Sequence, residues 1–101
     1  MSDDRSTGLR TVSIVVTSYN SAEQLPATLD ALSEALQQTS WDAEILIVDD
    51  GSTDDSVEVL HRYAANCSYP VRIIEQSNQG VFMAVWAGID AAESNEILIL
   101  A

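Results

Sequence analysis

Apolar residues recur along this chain in two rhythms. Thr11–Thr17 (TVSIVVT), Glu44–Asp49 (EILIVD), Val71–Glu75 (VRIIE) and Glu96–Ala101 (EILILA) are short runs rich in branched aliphatic residues. They alternate little with polar residues, which is the pattern of strands buried on both faces of a parallel sheet. Between them the spacing changes to that of helices. Leu25, Leu29, Leu32 and Leu36 form one helical stripe. Ser21 and Gln24 stand ahead of it with the spacing of a capping box, and Pro26 is tolerated only in a first turn. Val57, Leu60 and Ala64 mark a second helix, with Tyr63 at its margin. Ser52 is its expected cap, and Asp54 and Asp55 are expected in its first turn, where carboxylates complement the helix dipole. Gly80 opens a third helix running to about Ala92, with Val81, Ala84, Val85 and Gly88 at helical spacing.

The order is therefore β-α-β-α-β-α-β, which predicts an α/β fold: a Rossmann-like parallel sheet with flanking helices. Right-handed crossovers give the strand order 3-2-1-4, with the first two strands central. Residues 1–10 are polar and read as a flexible leader; residues 11–101 read as one domain. The fourth strand falls at an edge, and its run Ile97–Leu100 carries neither charge nor Pro. Such an edge is a template for another chain, so a homodimer through this strand is expected.

Charge then narrows the partners. Sixteen Asp and Glu stand against four Arg and no Lys, for a net charge of −12 over 101 residues. Phosphate-backbone binding needs clustered cations, so a nucleic-acid partner is excluded on this reading, and so is a polybasic membrane patch. No apolar run approaches the roughly 20 residues of a membrane span. The polar N-terminus lacks a signal core, and the single cysteine, Cys67, fits a reducing compartment. A cytoplasmic location is the expectation. Cys67 itself reads as a half-buried small residue, and His61, the one histidine, as part of a solvated helix face.

In a parallel sheet, ligands bind at the carboxyl ends of the strands. That edge collects Thr17, Ser18, Tyr19 and Asn20, then Asp49, Asp50, Gly51 and Ser52, then Gln76, Ser77, Asn78 and Gly80. An aromatic ring can stack on a base, and a carboxylate can accept a ring N–H. These are parts for nucleotide recognition, yet neither G-x-G-x-x-G nor a P-loop is present. Two adjacent carboxylates at the end of a buried strand are costly unless paired or functional. Asp50 is read as a ligand-facing group that contributes little to the fold.

TVSIVVTSYN, then EILIVDDGSTDDS, then SNQG and NEILILA together resemble the N-terminal half of a family 2 inverting glycosyltransferase of the GT-A fold. The resemblance covers residues 11–101 and implies a nucleotide-sugar donor, with UDP- or dTDP-sugars favoured. Thr17 and Tyr19 match the positions that contact the base, and Asp50 the carboxylate that accepts a uracil-type N–H. Asp49 and Ser52 lie beside it. Asn78 and Gly80 match the N-x-G that opens the third helix. Val85 and Trp86 stand where the family commonly has Arg-Asn, which removes a cation near the phosphates. The family's metal-binding D-x-D follows the fourth strand, and Ala101 falls about one residue short of it. The resemblance thus implies Mg²⁺ or Mn²⁺ for a full-length enzyme, no metal for this chain alone, and a catalytic base outside it. A fragment of a longer enzyme is the expectation, with a non-catalytic nucleotide-binding or interaction module as the alternative. A receiver-like phosphoacceptor domain is disfavoured, because the acids follow the second strand and no Lys is present.

Overall fold

The structure, a computed structural model, describes residues 10–100. The polar leader over residues 1–10 lies outside them but for Arg10. That guanidinium grips Glu96 through Nε and Nη2 at 2.6 and 2.9 Å and sits over the Trp41 ring.

Strands β1 (Thr11–Ser18), β2 (Asp42–Asp50), β3 (Val71–Gln76) and β4 (Glu96–Leu100) alternate with helices α1 (Leu25–Gln37), α2 (Ser56–Asn66) and α3 (Val81–Ala91). All pairings are parallel, in the order β3-β2-β1-β4. The expected topology is therefore the observed one. The right-handed crossover leaves a chain of this pattern few other options.

Side-chain alternation divides the sheet into two faces. Val12, Ile14, Val16, Ala43, Ile45 and Ile47 point to one face and pack beneath Leu25, Leu29, Leu36 and Leu60 of α1 and α2. Full burial of each such Leu contributes roughly 1.5–3 kcal/mol. The other face carries Val15, Leu46, Val48 and Thr17 toward α3, which packs on β1 and β2. Ala84 and Gly88 are the buried residues of α3. A Cβ on Gly88 would come within 2.3 Å of Val15 Cγ1, so a glycine is what lets this helix lie so close. Strand β4 is thinly covered by comparison. Leu98, Ile99 and Leu100 remain 45%, 45% and 42% exposed.

Two expected caps do not form. The Ser21 carbonyl accepts the N–H groups of Gln24 and Leu25, while its hydroxyl donates to the Tyr19 carbonyl, so a turn precedes α1 in place of a capping box. Ser52 likewise does not cap α2, which begins four residues later at Ser56. Its hydroxyl is drawn away to Asp49. Asp54 serves α2 instead, accepting the Ser56 N–H at 2.9 Å. His61 sits exposed on α2, its Nε2 3.6 Å from Glu75, and Cys67 packs partly buried against the core.

Candidate functional site

Three loops follow the carboxyl ends of β1, β2 and β3, and hydrogen bonds lock them together. Asn20 has a left-handed φ of 46°, a conformation its short amide side chain tolerates. Its Oδ1 accepts the Thr53 N–H at 2.8 Å, and its own N–H donates to Ser52 Oγ at 2.9 Å. The Ser21 N–H reaches Ser56 Oγ at 2.8 Å, and the Ala22 N–H reaches Asp54. The first two loops thus form one platform.

Asp49 and Asp50 are consecutive in β2, so they point to opposite faces. Asp49 is 1% exposed. Its carboxylate accepts the N–H and hydroxyl of Ser52 at 2.9 and 2.6 Å, and the Ser18 hydroxyl at 3.2 Å. It anchors the loop that carries Gly51, and with Ser52 it lies behind the pocket described next. Asp50 turns toward α3. Its Oδ1 accepts Gln76 Nε2 at 2.9 Å and the Gln79 N–H at 2.8 Å. Its Oδ2 accepts the Gly80 N–H at 2.8 Å and Asn78 Nδ2 at 3.3 Å. This corrects the reading that Asp50 contributes little to the fold: it pins the β3–α3 loop and the first N–H groups of α3, where an anion is favoured by the helix dipole.

A pocket of about 220 Å³ opens at this edge, lined by Thr17, Ser18, Tyr19, Asp50, Asn78, Gly80, Val81 and Ala84. Of the sequence-predicted residues, Thr17, Tyr19, Asp50, Asn78 and Gly80 meet here. The Tyr19 side is open, the residue being 49% exposed, so its ring is available for stacking. The volume is below the roughly 300–1,000 Å³ of sites that enclose a drug-sized ligand, and suits one ring system. Gly80 has φ of 99° and so needs to be glycine on backbone grounds. Sequence reasoning placed Asn20 and Gln76 at this edge but gave neither a role. The one sequence signal for Gln76 was its place at the carboxyl end of the third strand; its pairing beside Asp50 is a matter of register.

Two carboxylates at this edge, Asp50 and Asp54, titrate low. The Gln76 amide, with the Gln79 and Gly80 N–H groups, outweighs partial burial and holds Asp50 below its ordinary 3.8. The Ser56 hydroxyl does the same for Asp54, aided by the Ser56 and Ala22 N–H groups. A depressed folded-state value means that the unfolded chain takes up these protons first as pH falls. The stabilisation is complete above the ordinary carboxylate range and is lost through and below it. Thermal melts from pH 7 to pH 3 are expected to decline less steeply in Asp54→Asn, which has nothing there to protonate. Parallel declines would refute the assignment.

Among the described residues no three His, Cys, Asp or Glu side chains converge in a way that could hold a metal ion. Asp49 and Asp50 are engaged by the donors just described. The sequence resemblance places its divalent ion on a D-x-D beyond these residues, and no step below passes through one.

Comparison with known proteins gives the family and the fold. The model of the family described as "Glycosyl transferase family 2" matches residues 13–101. The undecaprenyl-phosphate 4-deoxy-4-formamido-L-arabinose transferase of Pseudomonas syringae is 36% identical across 91% of this chain and 28% of its own length. The cholesterol galactosyltransferase of Borreliella burgdorferi is also 36% identical, across 88% of this chain and 28% of its own. A PGL/p-HBAD biosynthesis glycosyltransferase of Mycobacterium bovis is 35% identical, across 87% and 33% respectively. The chain thus spans about a third or less of these relatives. The crystal structure of S. aureus TarS 1-349 superposes with a TM-score of 0.75 over 89% of this chain and 26% of that one, at 21% identity. That likeness establishes a shared GT-A-like fold.

Proposed function

The chain belongs to glycosyl transferase family 2, and from that premise we propose that its carboxyl-edge pocket takes the base of a nucleotide-sugar donor. One observation carries the reading: an exposed aromatic ring, Tyr19, and a negatively charged acceptor, Asp50, line the same base-sized pocket. Uracil and thymine present an N–H where cytosine presents a bare lone pair. A fixed carboxylate attracts the first two and repels the third. UDP- or dTDP-sugars are therefore the favoured donors. Thr17 and Asn78 line the same pocket and can supply further polar contacts.

In the whole protein the acceptor oxygen would attack the anomeric carbon, opposite the leaving group. The bond to the phosphate oxygen would break in the same displacement, inverting that carbon. The electron pair would leave on the nucleoside diphosphate, and the acceptor's proton would pass to a base. This chain's own share is to bind and orient the nucleoside. We assign it no catalytic base.

Calorimetric titration of the chain with uridine diphosphate and cytidine diphosphate tests the reading. Tighter binding of the uridine nucleotide than of the cytidine one is expected. Affinity should be weak, since the net charge of −12 repels a diphosphate. Equal or absent heats would overturn the assignment. The apolar β4 edge is also where we expect a second copy to add a strand, more readily as salt screens that charge. Sedimentation that reports a monomer throughout a salt series would exclude it.

A further inference from the structure

The four hydrogen bonds to Asp50 divide by oxygen, and the division follows the pocket wall. Oδ2 is held by Gly80 and Asn78, and both line the pocket. Oδ1 is held by the Gln76 amide and the Gln79 N–H, and neither residue lines it. The carboxylate thus has a pocket side and a back side. A carboxylate offers about four acceptor positions, two on each oxygen, so the back side is fully engaged. The pocket side is not equally engaged. Asn78 reaches Oδ2 at a long 3.3 Å, and the same Nδ2 makes a shorter bond, 3.0 Å, to the Asp50 carbonyl. An incoming ring N–H therefore has one weakly held position to take, on Oδ2 alone.

The geometry points to Gln76 as a positioning residue for base discrimination: from behind the pocket, its amide fixes the rotation of the Asp50 carboxylate so that Oδ2 faces the ligand. The Gln79 N–H lies in the loop after β3. Gln76 is the last residue of β3, and its backbone is set by parallel register directly against Asp50. It is the one back-side donor that rides on the sheet. Without it Oδ1 keeps only the Gln79 N–H, so the carboxylate is held less firmly about its Cβ–Cγ bond and Oδ2 faces the pocket less sharply. A cytosine ring would then suffer less repulsion and a uracil ring would gain less attraction. The inference rests on the reading of the pocket as a base site, and it names the residue that makes the site selective.

The neighbours make the effect readable. Tyr19 is the other titratable residue lining this pocket among the described residues, and Asp49 points to the opposite face. The hydrogen bond from Gln76 is also the largest influence lowering the Asp50 titration.

The test uses the whole 101-residue chain and two substitutions. Gln76→Met keeps length and removes the donor. Gln76→Glu removes it and sets a second carboxylate against the first. The β3 ladder is made by backbone groups, so far-UV dichroism should report an intact fold in both. Carboxyl NMR should show the Asp50 midpoint rising in Gln76→Met and rising further in Gln76→Glu. The ratio of uridine diphosphate to cytidine diphosphate affinity should fall about fivefold or more in each, the effect of one charge-assisted hydrogen bond. A merely structural Gln76 would weaken both nucleotides alike and leave the ratio unmoved. An unmoved affinity ratio in both variants overturns the inference, whatever the Asp50 midpoint does. A wild-type chain that does not distinguish the two nucleotides overturns the base-site reading instead, while a shifted midpoint would still uphold the hold of Gln76 on Asp50.

Discussion

Asp50→Ala is expected to lower affinity for uridine diphosphate about tenfold to a hundredfold, and to loosen the β3–α3 loop at the same time. The first effect follows from the loss of a charged acceptor for the ring N–H, an interaction at the strong end of the hydrogen-bond range. The second follows from the four donors that the carboxylate holds. Removing it leaves the Gln79 and Gly80 N–H groups and the Gln76 amide without their acceptor. Hydrogen exchange of the Gln79 and Gly80 amides should quicken, while β1 and β2 amides keep their protection. The two readouts separate the roles. Unchanged nucleotide affinity would remove Asp50 from the binding site. Unchanged exchange at Gln79 and Gly80 would show that the loop does not depend on it. Asp50→Asn offers a finer version. It keeps one acceptor oxygen, so the loop should hold better than in Asp50→Ala while preference for uridine over cytidine diphosphate collapses.

Gly51→Ala is expected to be the most disruptive single-methyl change at this edge. Gly51 has φ of 77°, where an L-residue is strained by about 1–2 kcal/mol. The added Cβ would also lie 2.6 Å from the Asn78 backbone nitrogen and 3.1 Å from its Cα. A backbone atom cannot swing aside as a side chain can, so the loops must part, at an overpacking cost of about 1–3 kcal/mol. Together the two terms reach about 2–5 kcal/mol, a large share of the roughly 5–15 kcal/mol that holds a domain folded. Gly80→Ala is the internal control. Its φ of 99° imposes the same kind of strain, but its Cβ would meet nothing within 4 Å. Urea unfolding should therefore rank wild type above Gly80→Ala, and Gly80→Ala above Gly51→Ala. Equal midpoints for the two variants would mean that the close approach of Gly51 to Asn78 costs nothing.

The architecture of this protein was legible from its residues. Branched aliphatic runs without alternation demand burial on both faces, and only a parallel sheet covered by helices supplies it. Right-handed crossovers, with polar residues clustered at the carboxyl edge, then point to the order β3-β2-β1-β4. The same logic gathered Thr17, Tyr19, Asp50, Asn78 and Gly80 at one edge, because every strand of a parallel sheet ends on that side. The individual assignments of polar groups were another matter. Ser52 has the residue type of a helix cap, and Asp49 that of a site carboxylate, yet the two satisfy each other. Local spacing allows both outcomes, and the choice depends on where the chain turns after β2. Period-two alternation says that Asp49 and Asp50 oppose each other, but not which one meets the pocket. That was decided by α3 packing on the Asp50 face of the sheet, close enough that Gly88 touches Val15. Gln76 became a partner of Asp50 only when β3 took its register beside β2. The pairing of groups distant in sequence is set by backbone geometry to within an ångström or so, and a hydrogen bond exists or fails on that scale.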